Sequence, residues 1–69
     1  MSDSKAPLRL RGIVRFGERG PWLEVDDGPV WRLDTTEDLR AHQDQHVQIE
    51  AWQRGVSLLE LLWIGPAPG

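Results

Sequence analysis

The first half of the chain opens on a segment in which apolar and polar positions alternate, over residues 8–16. A side-chain period of two is typical of a strand that is buried on one face only. Leu8, Leu10, Val14 and Phe16 share one parity, and Arg9, Arg11, Ile13 and Arg15 share the other. Gly12 falls within the apolar parity, which predicts a bulge or a sharp bend such as a barrel corner.

A first hairpin is predicted around Asp26-Asp27-Gly28. A two-residue loop would mix core and polar residues on both faces, whereas a three-residue loop separates them, so the three-residue loop is favoured. In that register Leu23 lies opposite Trp31 in the core, and Trp22 lies opposite Arg32 on the outside. Gly28 is then expected in the left-handed conformation that often ends such a loop. The inner face is Leu23, Val25 and Trp31, and the outer face is Trp22, Glu24, Val30 and Arg32.

A second hairpin is predicted around the loop Gln53-Arg54-Gly55 by the same separation of faces. Its inner pairs are Ala51 with Ser57, Ile49 with Leu59, and Val47 with Leu61. Trp63 shares the parity of Leu59 and Leu61, so it is expected in the core, and Trp52 is expected outside, near the loop.

The last predicted strand is apolar on both faces, because Leu58, Leu62 and Ile64 share its outward parity. An exposed apolar strip needs a cover, which the helix, the tail or another subunit could supply. Leu58 and Leu62 are therefore a candidate interaction surface, and both a monomer and a homodimer remain open.

One short helix is predicted between the two hairpins. Thr35 has the character of an N-cap, Asp38 follows at the third helical position, and the helix should last one or two turns and end near His42-Gln43. The order of elements predicts an all-β fold: a small five-stranded OB-like Greek-key barrel with one short helix between strands 3 and 4. An SH3-like barrel is the alternative. The barrel should occupy residues 8–64, with a disordered segment at 1–7 and a flexible tail at 65–69.

The chain also resembles a group of short, uncharacterised bacterial OB-like proteins, a family with a domain of unknown function. The resemblance covers residues 8–64. It is carried by Leu10-Arg11-Gly12-Ile13-Val14, Trp22-Leu23 with Asp27-Gly28, Trp31-Arg32-Leu33-Asp34, Val47-Gln48-Ile49-Glu50-Ala51 and Leu59-Glu60-Leu61. The resemblance implies a fold only, because the group carries no established activity.

Composition narrows the classes of function. The formal net charge of −3 disfavours a strong, non-specific nucleic-acid binder, although the positive charges are concentrated in the first half of the chain. Cysteine is absent, so there is neither a disulfide framework nor a thiolate metal site. No apolar run has the length of a signal-peptide core or a membrane span. A cytoplasmic protein without membrane contact is expected.

The outward surface of the first three strands is the best candidate for ligand binding. It combines Trp22 with Arg11, Arg15 and Arg32, and Trp52 could extend it. An aromatic ring beside guanidinium groups suits single-stranded nucleic acid or another anionic ligand, because the ring stacks on bases and the charges neutralise phosphates. The alternative is a Trp22–Arg32 cation–π pair that only stabilises the sheet. A protein-interaction or self-association module that uses the last strand is the second hypothesis of function.

Other chemistries find little support in the sequence. His42 and His46 have a helical metal-binding spacing, but a helix end and Asp44 intervene and no third ligand is evident. Gly17-Glu18-Arg19-Gly20 has the form of a KH-domain loop but lies between strands rather than helices. Phosphate-binding and dinucleotide-binding motifs and a nucleophile elbow are missing, so no enzyme, metal or cofactor is predicted.

Overall fold

The computed structural model of the 69-residue chain describes residues 6–68. The strands are β1 (Leu8–Gly17), β2 (Gly20–Val25), β3 (Val30–Asp34), β4 (His46–Gln53) and β5 (Leu58–Pro66), and a 3-10 turn, η1, spans Arg40–His42. The prediction of an all-β, five-stranded barrel with a short helical element between strands 3 and 4 is confirmed. The last strand extends two residues past the predicted barrel end at 64. Residues 1–5 of the predicted disordered segment and residue 69 of the predicted tail lie outside the described residues.

The sheet closes into a barrel in the order β1-β2-β3-β5-β4. The contact between β3 and β5 is parallel, and the other four strand contacts are antiparallel. Closure pairs each of the five strands between Leu8 and Pro66 with two neighbours, and pairing of this kind protects a small β protein from edge-to-edge association.

Strand β1 exchanges partners at Gly12, which pairs with Val25 of β2 and with Val47 of β4. A Cβ atom on Gly12 would lie 2.2 Å from the carbonyl oxygen of Glu24. The two backbones thus approach more closely than any side chain allows, as the predicted barrel corner requires.

The core fills the barrel with side chains from every strand and one from the segment before η1. Its buried members are Val14, Leu23, Leu33, Leu39, Val47, Ile49, Ala51 and Leu59. Trp31, expected in the core, is half-buried and packs against this cluster. Most of the alternating apolar residues therefore lie inside as the period of two predicts, but Leu8, which shares the parity of Leu10 and Val14, is 36% exposed.

The register of the first hairpin is confirmed. Trp22 pairs with Arg32 and Leu23 with Trp31. The conformation expected for Gly28 is wrong, because among residues 6–68 the only glycine with positive φ is Gly20, at 106°. Gly28 instead donates its N–H to the Val25 carbonyl at 3.3 Å. It thus closes a turn at the fourth position, where glycine is favoured without a left-handed backbone.

The register predicted for the second hairpin is wrong. Ala51 pairs with Leu61 rather than with Ser57, and the loop shifts to residues 55–57, where Ser57 is exposed. The parallel contact with β3 accounts for this, because Arg32 pairs with Leu58 and donates its N–H to the Ser57 carbonyl at 2.8 Å. The shift is an even number of residues, so the predicted inner residues Val47, Ile49, Ala51 and Leu59 are still buried.

A bulge at Leu62 corrects two further expectations for β5. Glu50 pairs with Trp63 and Ala51 with Leu61, which leaves Leu62 as the extra residue. An extra residue reverses the parity of the residues after it. Trp63, expected in the core, is therefore turned outward and is 49% exposed, whereas Ile64, expected outside, packs against the core.

The predicted helix is reduced to η1, which begins at Arg40 rather than just after Thr35. The Thr35 hydroxyl accepts the Glu37 N–H at 3.0 Å, and Asp38 Oδ1 accepts the Arg40 N–H at 3.0 Å. Side-chain bonds of this kind offer the backbone an alternative to helical hydrogen bonds. The segment therefore forms two successive turns that carry Leu39 into the core.

Candidate functional site

A groove opens on the outer face of β2 and β3, beside the turn that joins β1 to β2. Its volume is about 400 Å³, and its lining is Gly17, Glu18, Arg19, Gly20, Pro21, Trp22, Val30 and Arg32. We call it the Trp22 groove. Apart from the carboxylate of Glu18, its lining is apolar or cationic.

The Trp22 ring is seated on Gly17. A Cβ atom on Gly17 would lie 2.5 Å from Trp22 Cζ3, so the ring occupies the space that a side chain would fill. The turn beneath it depends on Gly20, whose φ of 106° suits glycine. The indole Nε1 donates to Glu24 Oε2 at 3.3 Å. Trp22 is thus half-buried, with its position fixed by the seat and by this hydrogen bond.

Arg32 borders the ring from β3, directly opposite Trp22. Its backbone is tied to the β4–β5 loop through Ser57, and its side chain is exposed. Within residues 6–68, neither Arg32 nor Arg19 forms an ion pair with a carboxylate. Beside them, Val30 is 51% exposed and adds an apolar surface. The groove thus offers two guanidinium groups to an anion.

Arg15 borders the ring from β1, where it pairs with Trp22. Its Nε lies 3.2 Å from Glu24 Oε1, and one terminal nitrogen lies 2.8 Å from Asp44 Oδ1. The hydrogen bond with Asp44, followed by that with Glu24, raises the pKa of Arg15 above its ordinary value. The positive charge of Arg15 is therefore engaged by two carboxylates.

Of the five residues of the predicted site, only Trp22 and Arg32 line the Trp22 groove, and Arg15, Arg11 and Trp52 do not. Arg11 Nε donates to Gln48 Oε1 at 3.2 Å, on the side of the barrel formed by β1 and β4. Trp52 is half-buried and lines a separate depression of about 350 Å³ with Leu8.

The two predicted interaction residues lie apart from each other. Leu58 pairs with Arg32 and lines a depression of about 330 Å³ that also includes Arg19 and Asp34, next to the Trp22 groove. Leu62 is 46% exposed at the bulge of β5, beside Trp63.

Sequence reasoning missed the seat of the ring on Gly17. The available signal was a glycine on the outward parity of β1, near the turn that leads to an outward tryptophan. A glycine at such a position leaves room for an aromatic neighbour to lie across the sheet.

The two histidines do not converge on a metal. His46 Nε2 lies 2.8 Å from Asp26 Oδ2. Among the residues that the structure describes, no three histidine, cysteine or acidic side chains are grouped closely enough to hold a metal ion. Nor do these residues include any helix with the length and apolarity to cross a bilayer.

Comparison with known proteins identifies a family but no characterised relative. Neither the curated proteins nor the solved structures gave a match. A family described as "Protein of unknown function (DUF5818)" matches residues 11–67, from the middle of β1 to the residue after β5. This range includes most of the barrel and the whole Trp22 groove. The chain therefore belongs to the DUF5818 family of proteins of unknown function, in agreement with the expected membership of a family with an uncharacterised domain.

Proposed function

We propose that this protein is a non-catalytic binding module that holds single-stranded nucleic acid weakly in the Trp22 groove. One observation carries the proposal. The half-buried ring of Trp22 lies over Gly17 and next to Arg19 and Arg32. Neither arginine has a carboxylate partner within residues 6–68.

The fold supports this location. A closed five-stranded barrel in which β3 runs parallel to β5 has the arrangement expected of an OB-like fold. OB-folds bind oligonucleotides on the face of strands 2 and 3, between the loops that follow strands 1 and 4. The Trp22 groove lies on that face and is lined by the loop between β1 and β2. The backbone N–H of Arg32 donates a hydrogen bond to Ser57 in the loop between β4 and β5.

The chemistry of the groove fits one or two nucleotides. Stacking of a base on an aromatic ring is worth about 1–3 kcal/mol. A guanidinium group can donate two parallel hydrogen bonds to a phosphate. Two available arginines predict a modest salt dependence, with log K falling by about 1.4 per decade of salt at about 0.7 for each phosphate neutralised on a single strand.

The carboxylates near the ring explain why weak binding is expected. Glu18 lines the groove, and Glu24 accepts hydrogen bonds from both Trp22 and Arg15. Like charges beside a phosphate oppose binding. A cytoplasmic site of action is part of the proposal, since such a module needs access to nucleic acid.

An NMR titration tests the proposal. The 15N-labelled protein is titrated with mixed-sequence single-stranded DNA and RNA at low and at moderate salt. Chemical-shift changes should cluster on Arg19, Val30, Arg32 and the Trp22 indole and should be reversed by salt. A well-dispersed spectrum that does not change at any ratio would rule out the proposal.

A matched pair of variants separates groove binding from a general loss of charge. Arg32→Gln removes a cation from the groove, and Arg40→Gln removes an exposed cation that is paired with Asp38 at 2.8 Å. Only the first should weaken binding. Equal effects would point to non-specific attraction to the protein as a whole.

Protein interaction or self-association is the second candidate function, favoured by the exposure of Leu62 and Trp63 at the bulge of β5. Adjacent exposed apolar side chains can mark an interface. Sedimentation velocity over a range of protein concentrations tests it. Association that Leu62→Glu abolishes would support this function, and a concentration-independent monomer would exclude self-association.

A further inference from the structure

We propose that Trp63 forms a second stacking platform, so that one single strand of nucleic acid contacts both the Trp22 groove and the surface made by Trp63, Gly65, Gln48 and Arg11. We call this second area the Trp63 surface. The inference rests on the proposed function and extends it from one site to two.

Like the Trp22 ring, the Trp63 ring lies over a glycine, in this case one that is two residues further along its own strand. A Cβ atom on Gly65 would lie 2.6 Å from Trp63 Cη2 and 2.7 Å from Cζ2, so the ring covers the glycine. Gly65 is buried beneath it, while Trp63 itself remains 49% exposed. The bulge at Leu62 places the ring outside, because without the extra residue Trp63 would point into the barrel.

An amide lies one strand away from Gly65, which the ring covers, and a cation lies one strand further. Gly65 pairs with Gln48, and Gln48 pairs in turn with Arg11. Arg11 Nε donates to Gln48 Oε1 at 3.2 Å, which holds the guanidinium group against β4, the strand that lies between β1 and β5. Arg11 forms no ion pair with a carboxylate among residues 6–68. Base stacking and phosphate contact are therefore available together.

The acidic neighbour of the ring is already neutralised. Glu50 pairs with Trp63 across the sheet, and its Oε2 lies 3.0 Å from Arg9 Nε. The cationic and amide groups around the ring favour a polyanion over an apolar protein partner, which would need to bury them without compensation.

Strand β1 connects the two areas. Its first half pairs with β4 beside the Trp63 surface, and its second half pairs with β2 beside the Trp22 groove. Arg11 and Arg15 share the outward parity of β1 and are four residues apart, or about 13 Å at about 3.3 Å per residue. A single strand that follows β1 would therefore meet one platform and then the other, and the second contact would be intramolecular.

The test compares a short and a long ligand. Dissociation constants are measured by fluorescence anisotropy for oligothymidylates of four and sixteen nucleotides, with the full chain as wild type, W22A, W63A, R11Q and L62A. We expect W63A to weaken binding of the long ligand about tenfold and of the short ligand less than twofold, because the short ligand still binds in the Trp22 groove. The dissociation constant of each variant is divided by that of the wild type for the same ligand. The larger number of binding positions on the longer strand therefore does not affect the ratio.

The remaining variants keep the result interpretable. R11Q leaves the Trp63 ring in place, so it tests the surface even if W63A does not fold, and it should weaken the long ligand about threefold at low salt. L62A removes a neighbouring apolar side chain and should leave both constants unchanged. The inference is overturned if W22A weakens binding while W63A and R11Q do not, in which case the proposed function stands. It is also overturned if L62A weakens binding as much as W63A does, because the effect then follows from a disturbance of the bulge and not from loss of the Trp63 ring. If the wild type binds neither ligand, the proposed function itself fails.

Discussion

Arg15 and Arg32 flank the same tryptophan from opposite sides, but within residues 6–68 only Arg15 is paired with carboxylates. Both pair with Trp22 across the sheet and both lie on its outer face. Arg15 contacts Glu24 and Asp44, whereas Arg32 has no ion-pair partner within residues 6–68. Under the proposed function, a ligand phosphate would compete with two carboxylates at Arg15, and with no carboxylate of residues 6–68 at Arg32.

The difference arises far from the groove in the sequence. Asp44 is 29 residues from Arg15 and follows η1, where its φ of 62° turns the chain toward β4. Its backbone N–H also donates to the Val14 carbonyl at 2.7 Å, which fixes it beside β1. A residue in an inter-strand turn thus supplies one of the two carboxylates that distinguish Arg15 from Arg32.

The largest effect on affinity is expected from W22A, which removes the aromatic ring that both Arg15 and Arg32 border. Loss of about 1–3 kcal/mol of stacking should weaken binding of single-stranded nucleic acid by about 5-fold to about 150-fold. Anisotropy titration measures the change, and circular dichroism verifies that the barrel remains folded. W22F, which keeps an aromatic ring, should retain most of the affinity. Unchanged binding by W22A would remove the groove from the proposed function.

The affinities of R32Q and R15Q for single-stranded nucleic acid test the contrast between the two arginines. R32Q should weaken binding about fivefold at low salt, because a charge-assisted hydrogen bond to phosphate is lost. R15Q should change it less than twofold. The effects on stability should be reversed, since R15Q removes the cationic partner of Glu24 and Asp44 and should lower the free energy of unfolding more than R32Q does. Urea denaturation of both variants provides that second measurement, and a larger binding defect in R15Q would invert the assignment.

A gain of affinity should follow when Arg15 is released. D44N removes the carboxylate at 2.8 Å, and asparagine tolerates the left-handed backbone of position 44. We expect binding about two- to threefold tighter at low salt, with the gain abolished in D44N/R15Q. D38N, which frees Arg40 away from the groove, is the matched control and should leave affinity unchanged. If D44N gives no gain, partner exchange at Arg15 does not limit binding.

The sequence predicts what depends on neighbouring residues and misses what depends on distant ones. The first hairpin register follows from separating Leu23 and Trp31 from Trp22 and Arg32, since both strands and the loop are local. The two strands of the second hairpin, considered alone, also favour a register that separates apolar from polar residues. Its register is nevertheless set by the parallel contact of Leu58 with Arg32, which no hairpin comparison contains.

The candidate site shows the same contrast between features that neighbouring residues determine and features that distant residues determine. The position of Trp22 beside Arg32 could be predicted, because cross-strand neighbours follow from register. The outward turn of Trp63 could not, because a single extra residue at Leu62 reverses parity without an apolar or turn signal in the sequence. The pairing of Arg15 with Asp44 is equally invisible in the sequence, since it depends on how the chain returns to β1 after η1.

The smallest expected effect concerns Asp38 and Arg40, a paired arginine whose partner is only two residues away. Side-chain hydrogen bonds from Arg40, followed by that from its backbone, lower the pKa of Asp38 from 3.8 to about 2. Because the pKa is lower in the folded than in the unfolded state, the stabilisation is fully present above pH 3.8 and is lost as the pH falls through about 2. A 13C NMR titration of the Asp38 carboxyl should give a midpoint near 2 that R40Q moves toward 3.8. R15Q should leave this midpoint unchanged, because the pKa of the Asp38 carboxyl depends on its own partner, Arg40. A shift of Asp38 in R15Q would instead show that the charges around the barrel act as one network, and the contrast between Arg15 and Arg32 would no longer rest on individual ion pairs.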